Sequence, residues 1–136
     1  MIYMLDTNIC IYLIKKQPEH VLNKFKSLNI GDICISSVTY AELMYGVEKS
    51  QQHQKNKIAL DEFTLPLDII SFDDESARHY GRVRSYLEKK GTPIGPLDLM
   101  IASHAQRMNF TLVTNNVKEF DRVPHLIIED WVHSSS

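Results

Sequence analysis

Short apolar segments alternate along this chain with longer segments that have the periodicity of amphipathic helices. Each short segment is predicted to be a strand: Ile2–Leu5, Ile33–Ile35, Leu67–Phe72, Thr111–Val113 and Leu126–Ile128. Helices are predicted between them, over Ile9–Lys15, from Pro18, from Ser36-Ser37 to about Lys49, from His53 to about Phe63, from Asp73-Asp74 to Lys90, and from Pro96 to about Met108. Strands that alternate with helices favour a parallel sheet covered by helices on both faces, a three-layer α/β sandwich.

The composition predicts one globular domain. Of the 136 residues, 43% are apolar and 24% are charged, which is typical of globular proteins. No repeat or Gly/Ser-rich linker divides the chain. We therefore expect one domain over residues 1–132, followed by a polar, disordered tail over residues 133–136.

The sequence also predicts a cytoplasmic protein with no membrane partner. The longest uncharged segment, residues 108–117, is too short to cross a bilayer as a helix. Asp6 interrupts the first apolar segment before a signal peptide could develop. Cys10 and Cys34 have no metal-binding spacing, so we expect them to be buried thiols in a reducing compartment.

Three acids are predicted to meet at one edge of the sheet. Asp6 ends the first strand, Glu42 follows the second strand by just over one helical turn, and Asp98 lies in the first turn of the helix begun by Pro96. The carboxyl ends of parallel strands share one edge, where such folds bind ligands. An acid at a helix start is commonly only a cap. Here, however, other side chains are available as caps, namely Thr7, Asn8, Ser36 and Ser37.

Converging carboxylates indicate a site for a hard cation. Three carboxylates repel one another unless they take up protons or bind a cation. Oxygen ligands without His or Cys favour Mg²⁺, for which Mn²⁺ can substitute. An ion held in this way activates water and neutralises charge at a phosphorus centre. The chain has no GxSxG, HExxH, Walker A or GxGxxG motif, and His104 lies on an apolar helix stripe, so we expect it to be packed rather than catalytic.

A basic stripe on the long helix that ends at Lys90 is a candidate surface for phosphate contacts. Arg78, Arg82 and Lys89 share the face opposite its apolar residues, although the net charge of the chain is −2. Pairing of these arginines with Asp74 and Glu75 is an equally good interpretation.

Four motifs in order resemble the PIN-domain ribonucleases of the VapC toxin type. The motifs are Met4-Leu5-Asp6-Thr7-Asn8, Ser37-Val38-Thr39-Tyr40-Ala41-Glu42-Leu43, Gly95-Pro96-Leu97-Asp98-Leu99-Met100-Ile101-Ala102, and Val113-Thr114-Asn115-Asn116 through Glu119-Phe120. The resemblance extends from Ile2 to Trp131.

The resemblance implies a Mg²⁺-dependent RNA endonuclease that is inhibited by a cognate VapB antitoxin and that pairs as a homodimer. It assigns catalysis to Asp6, Glu42 and Asp98, with Asp6 and Asp98 as the main metal ligands. It implies supporting roles for Thr7, Asn8, Thr114, Asn116 and Glu119. With RNA as the substrate, the basic stripe of Arg78, Arg82 and Lys89 becomes a candidate RNA contact. Asn116 falls at the family's fourth acidic position, for which Glu119 could compensate. Similar toxins act on the anticodon stem-loop of initiator tRNA.

Three alternative functions place different requirements on the sequence. A haloacid-type phosphatase needs a second acid where this chain has Asn8. A Mg²⁺-binding receiver domain needs an acidic pair near Asp6 and a lysine after the last strand, and residues 126–130 contain no lysine. A catalytically silent scaffold that binds RNA or protein is compatible with the sequence.

Overall fold

The computed structural model describes residues 1–133 and contains one five-stranded parallel sheet, in the order β3-β2-β1-β4-β5. The strands are β1 Tyr3–Leu5, β2 Ile33–Ser36, β3 Asp68–Ile70, β4 Thr111–Val113 and β5 Ile128–Glu129. The helices are α1 Thr7–Lys15, α2 Glu19–Lys26, α3 Ser37–Lys49, α4 His53–Thr64, α5 Asp74–Lys90, α6 Pro96–Arg107 and α7 Val117–Phe120, and a 3₁₀ turn covers Ile30–Asp32. The predicted α/β sandwich is confirmed.

The two faces of the sheet carry separate apolar cores, because successive strand residues point to opposite faces. Leu5, Ile35 and Val113 belong to the core that packs against α1 to α4. Their strand neighbours Met4, Cys34 and Leu112 belong to the second core, with residues of α5, α6 and α7. Both cysteines are buried thiols without a disulfide, as predicted.

The strand register brings three chain exits together. Leu5 of β1 pairs with Ile35 of β2 on one side and with Val113 of β4 on the other. The residues that follow Leu5, Ile35 and Val113 in the chain therefore lie at the same edge of the sheet. They are Asp6, Ser36 and Thr114.

One local prediction was wrong, and one short helix was not predicted. Asp6 itself caps α1, because its backbone is extended and its Oδ1 accepts a hydrogen bond from the Ile9 amide, so Thr7 and Asn8 are the first helical residues rather than caps. The four-residue helix α7 was not predicted, since it is too short to show a helical period. In the other two predicted cap pairs the first residue is the cap, with Ser36 capping α3 and Asp73 capping α5, whereas Ser37 and Asp74 are the first helical residues.

At the end of the described chain, the amide of His133 donates to Oδ1 of Asp130. The rest of the predicted tail, residues 134–136, lies outside the described residues. The single-domain interpretation over residues 1–132 stays a prediction. Within residues 1–133, the helices are too short or too polar to cross a membrane.

Candidate active site

Asp6 is fixed at the centre of the carboxyl edge of the sheet. Its amide donates to the Val113 carbonyl at 3.0 Å, and its Oδ1 accepts from the Ile9 amide at 2.9 Å. The side chain is buried, with 4% of the residue exposed. Burial raises the pKa of Asp6 to about 6, and the charge of Glu42 adds to that rise, although hydrogen bonds from Thr114 and Ile9 oppose it.

Thr114 lies beside Asp6 at the exit of β4, and its supporting role stays a prediction. It is fully buried at the end of β4, and its amide donates to the Glu129 carbonyl at 3.1 Å. Its Oγ1 accepts from the Asn116 amide at 3.0 Å, and the same hydroxyl is hydrogen-bonded to Asp6. Thr114 therefore connects the β4 exit to the Asp6 carboxylate.

Asp98 lies beside a second carboxylate. Pro96 begins α6 and places Asp98 in its first turn, where the side chain is half-buried and hydrogen-bonded to Glu119. Burial raises the pKa of Asp98 to about 7, and the negative charge of Glu119 is the next largest cause. A neighbouring carboxylate makes ionisation of Asp98 less favourable, so Asp98 holds its proton to a higher pH than an isolated aspartate does.

Glu119 lies beside Asp98 at the start of α7, and Asn116 is hydrogen-bonded to it. Asn116 caps the start of α7, and its Nδ2 donates to Glu119 Oε2 at 2.8 Å. Phe120 is buried in the second core and anchors this short helix. The amide of Asn116 therefore serves as a donor to the neighbouring acid. The i, i+3 spacing of the two residues was the only sequence signal for this contact.

Glu42 approaches the cluster from α3. Ser36 caps this helix by accepting from the Val38 amide at 3.1 Å, which places Glu42 in the second turn. Oε1 of Glu42 accepts a hydrogen bond of 2.6 Å from the Thr7 hydroxyl. The charge of Glu42 raises the pKa of both Asp6 and Asp98, so the acids act on one another.

The donor chemistry of this cluster fits a divalent ion, although the side chains are not yet arranged around one point. Within residues 1–133, no three His, Cys, Asp or Glu side chains lie close enough to surround an ion. The mutual effects on the pKa values nevertheless show uncompensated negative charge among Asp6, Glu42, Asp98 and Glu119. A hard cation relieves such charge, and oxygen donors suit it. Asp6 and Asp98 would hold such an ion, and its charge would offset the repulsion between them.

The basic stripe is only partly available for ligand contacts. Arg78 forms ion pairs with Asp74, at 3.2 Å, and with Glu75. The pairing interpretation therefore holds for Arg78, whereas Arg82 and Lys89 are exposed on α5. Their contact with RNA stays a prediction.

Two other predicted residues have clear positions. Asn8 is exposed in the first turn of α1 and keeps only a predicted supporting role. His104 is fully buried, with its Nδ1 at 2.8 Å from Ser36 Oγ and its ring in edge contact with Phe72. Burial lowers the pKa of His104, as expected for a packed histidine.

Comparisons with known proteins identify the family and agree with the fold. The PIN domain family matches residues 3–126. Ribonuclease VapC2 of Rickettsia felis is 52% identical over 132 residues, which cover 96% of this chain and 98% of the relative. The tRNA(fMet)-specific endonuclease VapC of Salmonella typhimurium is 46% identical over 129 residues, covering 95% and 97%. A solved structure of VapBC2 from Rickettsia felis bound to a DNA fragment from their promoter matches with a TM-score of 0.90 and 51% identity, covering 96% of this chain and 99% of that one.

The PIN match spans most of the chain, and the relatives match it over nearly their whole length. PIN-domain ribonucleases generally depend on a divalent metal ion, which fits the acidic cluster. This chain belongs to the PIN-domain family and, within it, to the VapC ribonucleases.

Proposed function

We propose that this chain is the toxin of a type II toxin–antitoxin system and acts in the cytoplasm as a Mg²⁺-dependent endoribonuclease. One observation carries the proposal: four carboxylates from separate elements act on one another at the carboxyl edge of the sheet, and burial with mutual repulsion raises the pKa of Asp6 and Asp98. Such a cluster lowers the stability of the fold, and carboxylates with strongly raised pKa values concentrate at functional sites.

The residues have separate roles in hydrolysis. Asp6 and Asp98 would hold the ion, with Asp6 oriented by Thr114 and the α1 amide of Ile9. A divalent ion bound there supplies a more acidic water and neutralises charge on the phosphate. Glu42 accepts the proton of the attacking water. Attack in line on phosphorus leaves 5′-phosphate and 3′-hydroxyl ends.

We propose initiator tRNA, cut in its anticodon loop, as the substrate. The support is the 46% identity to the endonuclease of Salmonella typhimurium that is named for tRNA(fMet). The exposed Arg82 and Lys89 are the candidate contacts to the RNA backbone.

A groove next to the active site supports binding of a VapB-type antitoxin. It has a volume of about 270 Å³ and lies between α1, α3 and α4, with Glu42 at its border. Its lining is mostly apolar and includes Ile11, Ile14, Leu43 and Leu60. An antitoxin segment with apolar side chains would fit this groove and cover Glu42. We also propose that the toxin pairs as a homodimer in the complex.

The test is a cleavage assay with purified protein and two tRNAs. We expect the wild type with Mg²⁺ to cut initiator tRNA and to leave an elongator tRNA intact, and we expect EDTA or Asp98→Asn to abolish cleavage. End labelling should show 5′-phosphate products. Cleavage that survives EDTA, or that leaves 2′,3′-cyclic phosphate, would contradict the metal mechanism. Equal cleavage of both tRNAs would contradict the substrate.

A further inference from the structure

A short hydrogen bond joins the first residue of α1 to the catalytic acid of α3. The hydroxyl of Thr7 lies 2.6 Å from Oε1 of Glu42, across 35 positions of sequence. Both residues are half-buried. We infer that Thr7 is a positioning residue that holds the Glu42 carboxylate at the active site; the inference rests on the proposed ribonuclease function.

The chemistry fixes the direction of this bond. An ionised carboxylate has no proton to give, so the Thr7 hydroxyl donates and Glu42 accepts. Oε1 is thereby engaged, and Oε2 is left to accept a proton from water. A hydrogen bond to an ionised group is shorter and stronger than one between neutral groups, which agrees with 2.6 Å.

Thr7 is well placed to act as a fixed anchor. The preceding residue, Asp6, accepts amide hydrogen bonds from Ile9 on its side chain and from Cys10 on its carbonyl, at 2.9 and 3.1 Å. Cys10 and Ile9 are fully buried, so the first turn of α1 is held to the sheet. A hydroxyl on this turn therefore has a defined position relative to Asp6.

Two effects favour conformations in which the Glu42 side chain points away from the site. Its charge interacts unfavourably with those of Asp6 and Asp98. It also borders the groove between α1, α3 and α4, which offers space for other rotamers. The hydrogen bond from the Thr7 hydroxyl opposes both effects, because it stabilises the side-chain conformation in which Glu42 points toward Thr7 and the site.

The first test asks whether the bond exists in solution. The free energy of unfolding is measured by urea titration for wild type, Thr7→Val, Glu42→Ala and the double variant. We expect a coupling between the two positions equivalent to about a tenfold change in the unfolding equilibrium. If the two substitutions changed the free energy of unfolding additively, the Thr7–Glu42 hydrogen bond would not exist in solution.

The second test asks whether the bond serves catalysis, with Thr7→Ser as the matched control. We expect Thr7→Val to lower kcat about 10- to 100-fold with KM for RNA unchanged, and Thr7→Ser to restore most of the activity. Calorimetric Mn²⁺ affinity of Thr7→Val should stay within about twofold of wild type, because Asp6 and Asp98 hold the ion. A Thr7→Val enzyme as active as Thr7→Ser, or a Mn²⁺ affinity that falls as far as kcat, would overturn the inference. A wild type that does not cut RNA would instead refute the proposed function.

Discussion

Replacing Asp6 by Asn should stabilise the metal-free protein at alkaline pH and leave its stability nearly unchanged at acid pH. The pKa of Asp6 rises from 3.8 to about 6 on folding, mainly because the carboxyl is buried. At about 1.4 kcal/mol for each pKa unit, ionising Asp6 reduces the free energy of unfolding by roughly 3 kcal/mol. The amide of Asn avoids this cost, and its oxygen can still accept from Ile9.

The sign of the pH dependence follows from the raised pKa. Below pH 3.8 the group is protonated in both states, so it costs nothing. Between pH 3.8 and about 6 the unfolded chain ionises first, and wild type loses stability relative to Asp6→Asn. Above about pH 6 Asp6 is ionised in both the folded and the unfolded state, so the difference in free energy of unfolding between the two proteins reaches its full size. We expect Asp6→Asn to exceed wild type by about 1–3 kcal/mol at pH 8, since Asn forms weaker hydrogen bonds than the carboxylate, and by much less at pH 4.

The assay is urea unfolding in EDTA at both pH values, with Asp73→Asn as a matched control. Asp73 also caps a helix, accepting from the Ser76 amide at 2.9 Å, but it is exposed and its pKa is lowered by that hydrogen bond. Its contribution to stability is present above pH 3.8 and is lost as the pH falls, so Asp73→Asn should not stabilise at pH 8. An Asp6→Asn protein no more stable than wild type at pH 8, or a gain that is equal at both pH values, would refute the reasoning.

Three further pairs of substitutions test the fourth acid, the groove and the basic stripe. In single-turnover kinetics, Asn116→Ala should lower kcat about tenfold, because the Asn116 amide only holds Glu119. Asp98→Ala should abolish measurable cleavage. Equal losses of activity in the two variants would contradict this difference in roles. Gly46 lines the groove, and a Cβ added there meets nothing within 4 Å, so a larger side chain would fill the groove without disturbing the fold. Gly46→Leu should therefore weaken antitoxin binding about tenfold or more by calorimetry, whereas Gly46→Ala should not. Unchanged affinity of Gly46→Leu would mean that the antitoxin binds elsewhere. Arg82→Gln should reduce the salt dependence of RNA affinity, whereas Arg78→Gln should not, because Arg78 is already ion-paired within α5. The opposite result would mean that RNA contacts Arg78 and not Arg82.

The sequence predicted the fold because its local signals and its tertiary structure agree. Short apolar segments and long amphipathic ones placed all five strands and the six longer helices, and parallel topology then placed Asp6, Glu42 and Asp98 at one edge. Periodicity needs several turns to be visible, so the four residues of α7 were missed.

The finer structure of the site depends on contacts that a linear pattern does not contain. Asp6 was expected to leave capping to Thr7 and Asn8, but it both caps α1 and faces the site, since its two oxygens can serve both purposes. The Thr7 to Glu42 bond joins residues 35 positions apart, and the Asp98 to Glu119 contact depends on the unpredicted α7. Such pairs become visible only once helices from different parts of the chain are packed on the sheet.

The central claim, that Asp6 and Asp98 hold a divalent ion, is tested most directly by calorimetric titration of the RNA-free protein with Mn²⁺. Wild type and Asp98→Ala are compared at pH 8, where both carboxyls are largely ionised, with Arg78→Gln as a control for a charge change away from the site. We predict one binding site in wild type and Arg78→Gln, and no saturable binding in Asp98→Ala. Two equally tight sites in wild type, or unchanged binding in Asp98→Ala, would contradict the claim.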